Sequence, residues 1–392
     1  MIYYFIFLIL SLLSLSDLLK DKRFQTISFF LSFLLLFVFG SFRFDTGWDF
    51  ATYRFYFDKI PTISIFLNNG FSPDVYFEFG FKLLISIIKT LNLSFQFLIF
   101  LSNLFVLFCV YNFIDEEVKH KNLAVLLFYS TCYLFLNFSI LRQGIAIGIL
   151  LLSLRFLFNK KIIASLMMIF LASLFHMTAI VFLPILLIAN YTYLPRHLYL
   201  ILFSSVTMFA FLPISLVEIS LHLFQGILPN TIVSKLQHYM GNNYYGSQRT
   251  LGLGFVEKFG FITLFIFHAY YLRSDMKPTK RISTIGYLFL AYYSIYILFI
   301  DIQVIYTRMK FYFMTISSFT YSYLLIELFR KNSFRTLSAI LIILFSFVNL
   351  HNTLRYKPNN VVFIPYQSII SEPDFLNTDY YRILRASELI GP

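Results

Sequence analysis

The chain begins with IYYFIFLILSLLSLSDLL, residues Ile2 to Leu19, an apolar run long enough to cross a bilayer as one helix. The basic group Lys20-Asp21-Lys22-Arg23 follows it directly, and a second apolar run occupies Phe24–Phe42. Lys and Arg collect in the cytoplasmic loops of membrane proteins. The pattern therefore predicts two spanning helices joined by a cytoplasmic turn, with the N-terminus outside and the first run retained as a span.

The composition extends this conclusion to the whole chain. Of the 392 residues, 59% are hydrophobic, 21% are aromatic and only 13% are charged, and the mean hydropathy is +0.75. A soluble domain carries about twice as much charge, so a soluble globular protein is excluded. The sequence also lacks the short alternating segments of an outer-membrane barrel. The predicted fold class is an all-α polytopic membrane protein.

Ten further apolar runs bring the predicted number of transmembrane helices to about twelve. They are residues Phe95–Phe113, Asn122–Ile140, Gln143–Phe158, Ile162–Phe175, Met177–Ala189, Leu198–Val217, Phe255–Leu272, Ile282–Ile300, Phe311–Leu328 and Thr336–Leu350. Alternating their direction places nearly half of the 31 Lys and Arg residues in short loops on the side of Lys20. The net charge of +12 is thus explained largely by membrane topology, and nucleic acid is not expected as a partner.

Some segments are too short to span comfortably. Phe79–Leu91 is predicted to be re-entrant or interfacial, and the adjoining runs 162–175 and 177–189 are predicted to be broken or tilted helices.

The predicted organisation is a transmembrane domain, residues 1–350, with external loops 43–94 and 218–254, followed by an external tail, residues 351–392.

The richest candidate site is Arg43-Phe44-Asp45-Thr46-Gly47-Trp48-Asp49-Phe50-Ala51-Thr52-Tyr53, directly after the second span. It combines one cation, two carboxylates, a glycine, the single Trp and a Tyr. Ionisable groups at membrane depth cost about 2.5–3.5 kcal/mol and are seldom kept without a role. The alternative is an aromatic anchor at the membrane interface with a solvated charge cluster.

Other candidates lie at the predicted outer ends of spans. Arg142-Gln143 stands near a helix N-terminus, where amide dipoles favour anions, although an interfacial Arg can also simply extend toward water. His176 lies at the junction of two short runs, where it could accept a proton, bind a sugar or phosphate, or be an ordinary buried His. Glu78, Arg249 and Arg308 complete the set, and each could be an ordinary loop charge.

In their order along the chain these motifs resemble the EpsG family. The series is Arg43-x-Asp45-x-Gly47-x-Asp49 with Tyr53, Glu78-x-Gly80-Phe81, Arg142-Gln143, Phe175-His176-x-Thr178-Ala179, and Arg308 near Tyr312. The resemblance extends to about residue 315. One departure is Trp48, where a small residue, often Thr, is expected between the glycine and the aspartate.

The resemblance implies a Wzy-type polysaccharide polymerase, such as those of O-antigen or capsule synthesis, in the bacterial inner membrane with a GT-C-like glycosyltransferase fold. A hydroxyl of a lipid-linked repeat unit would attack the anomeric carbon of a glycan chain on undecaprenyl diphosphate, at the periplasmic face. Both undecaprenyl-diphosphate-linked glycans are then expected partners, together with membrane lipid and a separate co-polymerase that controls chain length.

This chemistry assigns expected roles to the candidate residues. A diphosphate leaving group needs fixed positive charge, for which we expect Arg142, Arg308 and Arg43, with Arg249 in reserve. The attacking hydroxyl needs a proton acceptor, expected to be Asp49 first, then His176, then Glu78. Asp45, which could hold Arg43, is expected to support the site with Gly47, Tyr53 and Gln143. No cofactor is expected, because arginines would take the place of a metal, although Asp45 and Asp49 are close enough in sequence to bind one.

Three other functions share features of this sequence. An O-antigen ligase would use nearly the same chemistry and differ in its acceptor. A flippase or transporter of lipid-linked oligosaccharides would have a similar number of spans, but internal repeat symmetry is expected there. A membrane O-acyltransferase would use a His without explaining the arginines.

Overall fold

The computed structural model describes residues 1–191, 195–211, 219, 233–234, 252–272, 280–300, 302–328, 332–370, 382, 385–386 and 388–389. Nearly all of this backbone is helical. A bilayer interior offers no water to the backbone N–H and C=O groups, and a helix pairs them within one segment. Composition and structure together identify a helical membrane protein.

The N-terminal half forms ten α-helices in the described residues. They are α1 (Ile2–Ser14), α2 (Lys22–Ser41), α3 (Phe50–Lys59), α4 (Ile63–Asn69), α5 (Phe79–Thr90), α6 (Phe95–Glu117), α7 (Lys121–Phe128), α8 (Leu141–Phe158), α9 (Ile162–Phe175) and α10 (Phe182–Tyr191). Two π-helical turns, Tyr129–Tyr133 and Phe135–Ser139, extend α7 toward α8. At the start of α2, the Asp21 carboxylate accepts the N–H groups of Arg23 and Phe24, which caps the helix.

The remaining described helices are α11 (Arg196–Ala210), α12 (Leu253–Ile266), α13 (Lys280–Leu298), α14 (Gln303–Leu328), α15 (Asn332–Arg355) and α16 (Lys357–Phe363). Wherever the predicted spans are described, they are helical apart from a few residues at their ends, such as Phe42, Ile140 and Phe211. Within the described part of the chain, five helices are long and apolar enough to cross a membrane: Lys22–Ser41, Phe95–Glu117, Leu141–Phe158, Arg281–Leu298 and Arg335–Arg355. The count of twelve spans and the sidedness of the loops stay predictions.

The segments predicted to be irregular are short or broken helices. With 12 residues, α5 is well below the length of about 20 residues that spans a bilayer. The run from 162 to 189 is interrupted at His176, whose backbone is extended with φ −154° and ψ 111°. A 3₁₀ turn, Met177–Val181, follows the interruption and leads into α10.

Two short strands are a departure from the predicted all-α fold. Arg43–Phe44 (β1) pairs antiparallel with Gln367–Ser368 (β2). Because Arg43 and Phe44 are buried just beyond the end of α2, their backbone groups need partners that are neither water nor the helix. The later part of the chain supplies these partners, so the C-terminal segment covers the loop that begins at residue 43.

The chain divides into two compact units. The first comprises Met1–Leu183 and Ser318–Leu389, and the second comprises Pro184–Ser317 with Ile390–Pro392. The first unit has a core of fully buried aliphatic and aromatic side chains such as Leu98, Val110 and Leu154. Residue 350, the predicted boundary of the external tail, lies inside α15, and the separation of a 351–392 tail from the membrane helices stays a prediction.

Candidate active site

Three polar residues that are far apart in sequence meet in the first unit. The Oε2 atom of Glu78 lies 2.5 Å from Nη1 of Arg142, and its Oε1 atom lies 3.0 Å from Nδ1 of His176. The backbone N–H of Met177 also donates to Oε1, at 3.3 Å. Each of the three side chains is between 15% and 22% exposed, so they are largely buried but still accessible. Glu78 therefore joins a guanidinium and an imidazole in one cluster.

Local backbone features bring these residues together. Glu78 precedes α5, Arg142 lies in the first turn of α8, and His176 stands at the break after α9. A Cβ atom on Gly80 would lie 2.9 Å from the backbone oxygen of Leu174, so only glycine lets α5 approach the end of α9 this closely. The Glu78-x-Gly80 motif thus places the carboxylate beside His176.

The protonation state of the cluster follows from its charges. Burial by itself disfavours the ionised Glu78 carboxylate, but the hydrogen bond from His176 and the charge of Arg142 outweigh it and lower its pKa to about 2. An ionised carboxylate can only accept hydrogen bonds, so Nδ1 of His176 must carry the proton it donates. In the neutral imidazole this leaves Nε2 as a proton acceptor.

Arg142 also contacts two aromatic residues. The Tyr53 side chain, which is buried, also forms a hydrogen bond with Arg142, and the guanidinium carbon lies 4.5 Å from the ring centre of Phe77. Burial and the nearby charge of Asp49 raise the pKa of Tyr53, which stays a neutral phenol. Nε of Arg142 is buried and has no hydrogen-bond partner among the described residues, while 22% of the side chain stays exposed.

Arg43 lies in the interior, with 0% of its surface exposed. Its guanidinium lies between the rings of Phe50 and Phe138, at 5.4 and 5.0 Å, and donates to the backbone oxygens of Asn137 (3.1 Å) and Thr46 (2.8 Å). Burial lowers its pKa to about 10, which still leaves it charged at neutral pH. Arg43 therefore holds the loop that follows it, and its predicted contact with a diphosphate stays a prediction.

The loop after Arg43 is shaped by two residues with positive φ, Asp45 (38°) and Gly47 (115°). A Cβ atom on Gly47 would lie 2.0 Å from the backbone oxygen of Phe138. Both this close approach and the positive φ therefore exclude a side chain at residue 47. The Asp45 carboxylate, expected to hold Arg43, forms its ion pair with Arg382 at 3.6 Å. Arg382 reaches Asp45 because the C-terminal segment covers the loop.

Trp48 and Asp49 end this loop. The Trp48 backbone N–H donates to the Ser139 hydroxyl at 3.1 Å, and its indole N–H donates to Asn359 at 2.9 Å. Asp49 stands at the N-terminal cap of α3, one helical turn before Tyr53. With Arg43 and Asp45 buried and Trp48 bonded within the protein, the interface-anchor alternative with its solvated charge cluster does not describe this loop.

The structure describes two of the three remaining predicted residues. Gln143 is buried, 4% exposed, next to Arg142 on α8. Arg308 lies on α14 within the second unit, and its side chain is exposed. Arg249 lies outside the described residues.

Several buried polar residues were not predicted from the sequence. Asn137 donates to Asn103 at 2.7 Å, and Asn103 in turn donates to the backbone oxygen of Phe37 and to the Ser41 hydroxyl, both at 2.9 Å. In the second unit the ammonium of Lys258 lies 4.7 Å from the ring centre of Tyr296. A polar residue inside an apolar run is the signal that could have identified all of them.

Comparison with known proteins gave one match. The EpsG family model matches residues 26–368, which is most of the chain and extends beyond residue 315, where the motif series ends. No curated protein and no solved structure matches significantly.

Proposed function

Because the chain belongs to the EpsG family, we propose that it is a Wzy-type polysaccharide polymerase of the bacterial inner membrane. It would transfer a growing glycan from undecaprenyl diphosphate to a lipid-linked repeat unit at the periplasmic face. The observation that carries the proposal is the Glu78 carboxylate, which binds Arg142 with one oxygen and His176 with the other. A cation for the leaving group and a base for the nucleophile thereby stand side by side.

Arg142 is the proposed binding residue for the leaving diphosphate. Negative charge grows on the diphosphate oxygen as its bond to the anomeric carbon breaks, and a guanidinium in a partly desolvated place stabilises this charge strongly. Arg142 lies in the first turn of the 18-residue helix α8. The positive end of the helix dipole adds to the attraction for an anion.

His176 is the proposed proton acceptor. The acceptor hydroxyl oxygen bonds to the anomeric carbon while the bond from that carbon to the diphosphate oxygen breaks, and the hydroxyl proton passes to Nε2 of His176. The imidazolium then releases this proton to the departing diphosphate or to water. Glu78 fixes the tautomer through Nδ1 and stabilises the imidazolium, as the third member of a nucleophile–base–carboxylate set does.

Asp49 takes a different proposed role. The sequence predicts Asp49 as the first choice of base, whereas the geometry favours His176, whose ring is oriented by a carboxylate. Asp49 is half-buried at the start of α3, close enough for its charge to act on Tyr53. We assign to it the orientation of the acceptor sugar, and to Arg308 and Arg249 further contacts with the diphosphates.

The decisive experiment is elongation in vitro with purified protein and lipid-diphosphate repeat units, with EDTA present. His176→Gln should leave single units, and the matched change His197→Gln, at an exposed histidine of α11, should give the normal ladder of chain lengths. A normal ladder from His176→Gln would contradict the assigned base. If Asp49→Asn alone abolishes the ladder, Asp49 is the base.

The same assay separates the polymerase from a ligase. A polymerase builds a ladder on its own lipid-linked substrate, whereas a ligase adds glycan in one step to a different acceptor. Product formed only after a lipid A core acceptor is supplied would favour the ligase. A chain-length co-polymerase is a proposed partner, and its addition should narrow the distribution of chain lengths.

A further inference from the structure

An apolar groove of about 370 Å³ lies in the first unit between α5, α6, α8 and α9. This volume is within the range of about 300–1,000 Å³ typical of ligand sites. All four helices contribute hydrophobic side chains to its walls, among them Leu84, Leu101, Phe105, Ile145, Met168 and Phe175. The groove can therefore hold hydrocarbon, and a polar ligand would find few partners in it.

The groove begins beside the Glu78 cluster. Ile145, which lines the groove, follows Arg142 by three residues on α8, which is about 5 Å along the helix axis. Phe175, which also lines it, directly precedes His176. At the rim, Leu171 is 38% exposed, so the groove opens at the protein surface. A hydrocarbon chain entering beside Arg142 can leave through this opening into the bilayer.

We propose that this groove binds the first isoprenoid units of a polyprenyl diphosphate, with the diphosphate beside Arg142. The inference rests on the proposed function, because it identifies where the lipid of that substrate lies. Charge complementarity supports it, since the cationic Arg142 side chain is 22% exposed and lies one helical turn before Ile145 of the groove.

Polyprenyl diphosphates and bilayer phospholipids both join a phosphate to hydrocarbon, but they differ in what lies between the two. In a polyprenyl diphosphate the hydrocarbon is attached directly to a phosphate oxygen. In a bilayer phospholipid, glycerol and ester groups separate the phosphate from the acyl chains. Ile145, an apolar wall residue, lies within one helical turn of Arg142, and Ser102 is the one polar residue among the described residues that line the groove, which leaves little to match glycerol and esters. The groove therefore fits the polyprenyl lipid.

Two adjacent methionines of α9 provide a matched test. Met168 lines the groove, whereas Met167 is 62% exposed on another side of the same helix. The full-length protein in nanodiscs is titrated with undecaprenyl diphosphate, and binding is measured by native mass spectrometry. Met168→Trp should weaken binding at least about tenfold, equivalent to about 1.4 kcal/mol, because the indole occupies the place of isoprenoid carbons. Met167→Trp should bind like the unmodified protein.

Two results would overturn the inference: equal binding by the two variants, or displacement of the polyprenyl lipid by an equal concentration of phosphatidylglycerol. If Met168→Trp does not accumulate in the membrane, Leu84→Trp, on the α5 wall of the groove, is tested in its place. Elongation assays keep this inference distinct from the polymerase proposal. Normal elongation by Met168→Trp refutes the groove alone, whereas the absence of elongation by the unmodified protein refutes the polymerase.

Discussion

Glu78→Gln is the substitution that most directly tests the polar cluster, because it removes one charge with little change of shape. The introduced amide can donate a hydrogen bond to Nδ1 of His176, which favours the tautomer with the proton on Nε2. His176 would then present a donor where the proposed reaction needs an acceptor. Arg142 would lose its counter-charge, and its guanidinium would be free to bind an anion.

The effect on stability follows from the pKa of Glu78, which falls from an ordinary 4.5 to about 2 in the folded protein. This gap corresponds to about 3 kcal/mol of folded-state stabilisation. Because the folded pKa is the lower one, the stabilisation is present above about pH 4.5 and disappears as the pH falls through about 2. Thermal unfolding between pH 6 and 2 should show this loss in the unmodified protein and not in Glu78→Gln.

The effect on catalysis should lie in kcat. A correctly oriented general base contributes about 10²–10⁴-fold to the rate, and the elongation rate of Glu78→Gln should fall within this range while its KM for the donor does not rise. Glu116→Gln is the control, because it removes a 2.6 Å ion pair with Arg155 whose side chains are 36% and 44% exposed. An exposed pair of this kind contributes about 0–1 kcal/mol.

Two outcomes would refute this reasoning. If Glu78→Gln elongates glycans within a few-fold of the normal rate, Glu78 does not set the tautomer of His176. If Glu116→Gln loses as much activity as Glu78→Gln, the loss reflects a general sensitivity to removed ion pairs.

Four further substitutions have defined expectations. Arg142→Ala should leave single lipid-linked units and weaken donor binding about 10–100-fold, the loss of a charge-assisted hydrogen bond; normal chains would remove its assigned role. Gly47→Ala should lower the free energy of unfolding by at least about 1–3 kcal/mol, because of its φ of 115° and the nearby Phe138 oxygen, and unchanged thermal unfolding would contradict this. Arg308→Ala should stop chain growth without changing the unfolding temperature, since its side chain is exposed, and long glycans from this variant would exclude it from the site. A Cys introduced at Lys20 should resist a reagent confined to the outside, and its labelling would reverse the predicted topology.

The helices could be predicted from the sequence because apolar runs of spanning length are local features. Glu78, Arg142 and His176 could also be singled out one by one, as polar residues at the ends of such runs. Their meeting could not be predicted, since it depends on how α5, α8 and α9 pack. For example, a Cβ atom on Gly80 would lie 2.9 Å from the Leu174 oxygen, and no helix or strand periodicity relates these two residues.

Arg43 illustrates the opposite case. Its charge next to a span made it a candidate for the diphosphate site, but the charge gives no information about what covers it. Its guanidinium lies against Phe50 and Phe138, and its backbone pairs with Ser368 from a C-terminal region without a recognisable motif. Burial of this kind is decided by contacts between distant parts of the chain, and such contacts lie beyond single-sequence patterns.

The pairing of β1 with β2 has a consequence for biosynthesis. The indole of Trp48 and its partner Asn359 are 311 residues apart, so at about 5–20 residues per second roughly 15–60 s separate their synthesis. Throughout this interval the first helices can enter the membrane while the loop that carries Arg43 lacks its cover. Synthesis of the last helices and β2 then completes the loop, so a chain that stops before residue 359 lacks both the partner of the Trp48 indole and the partner strand of β1.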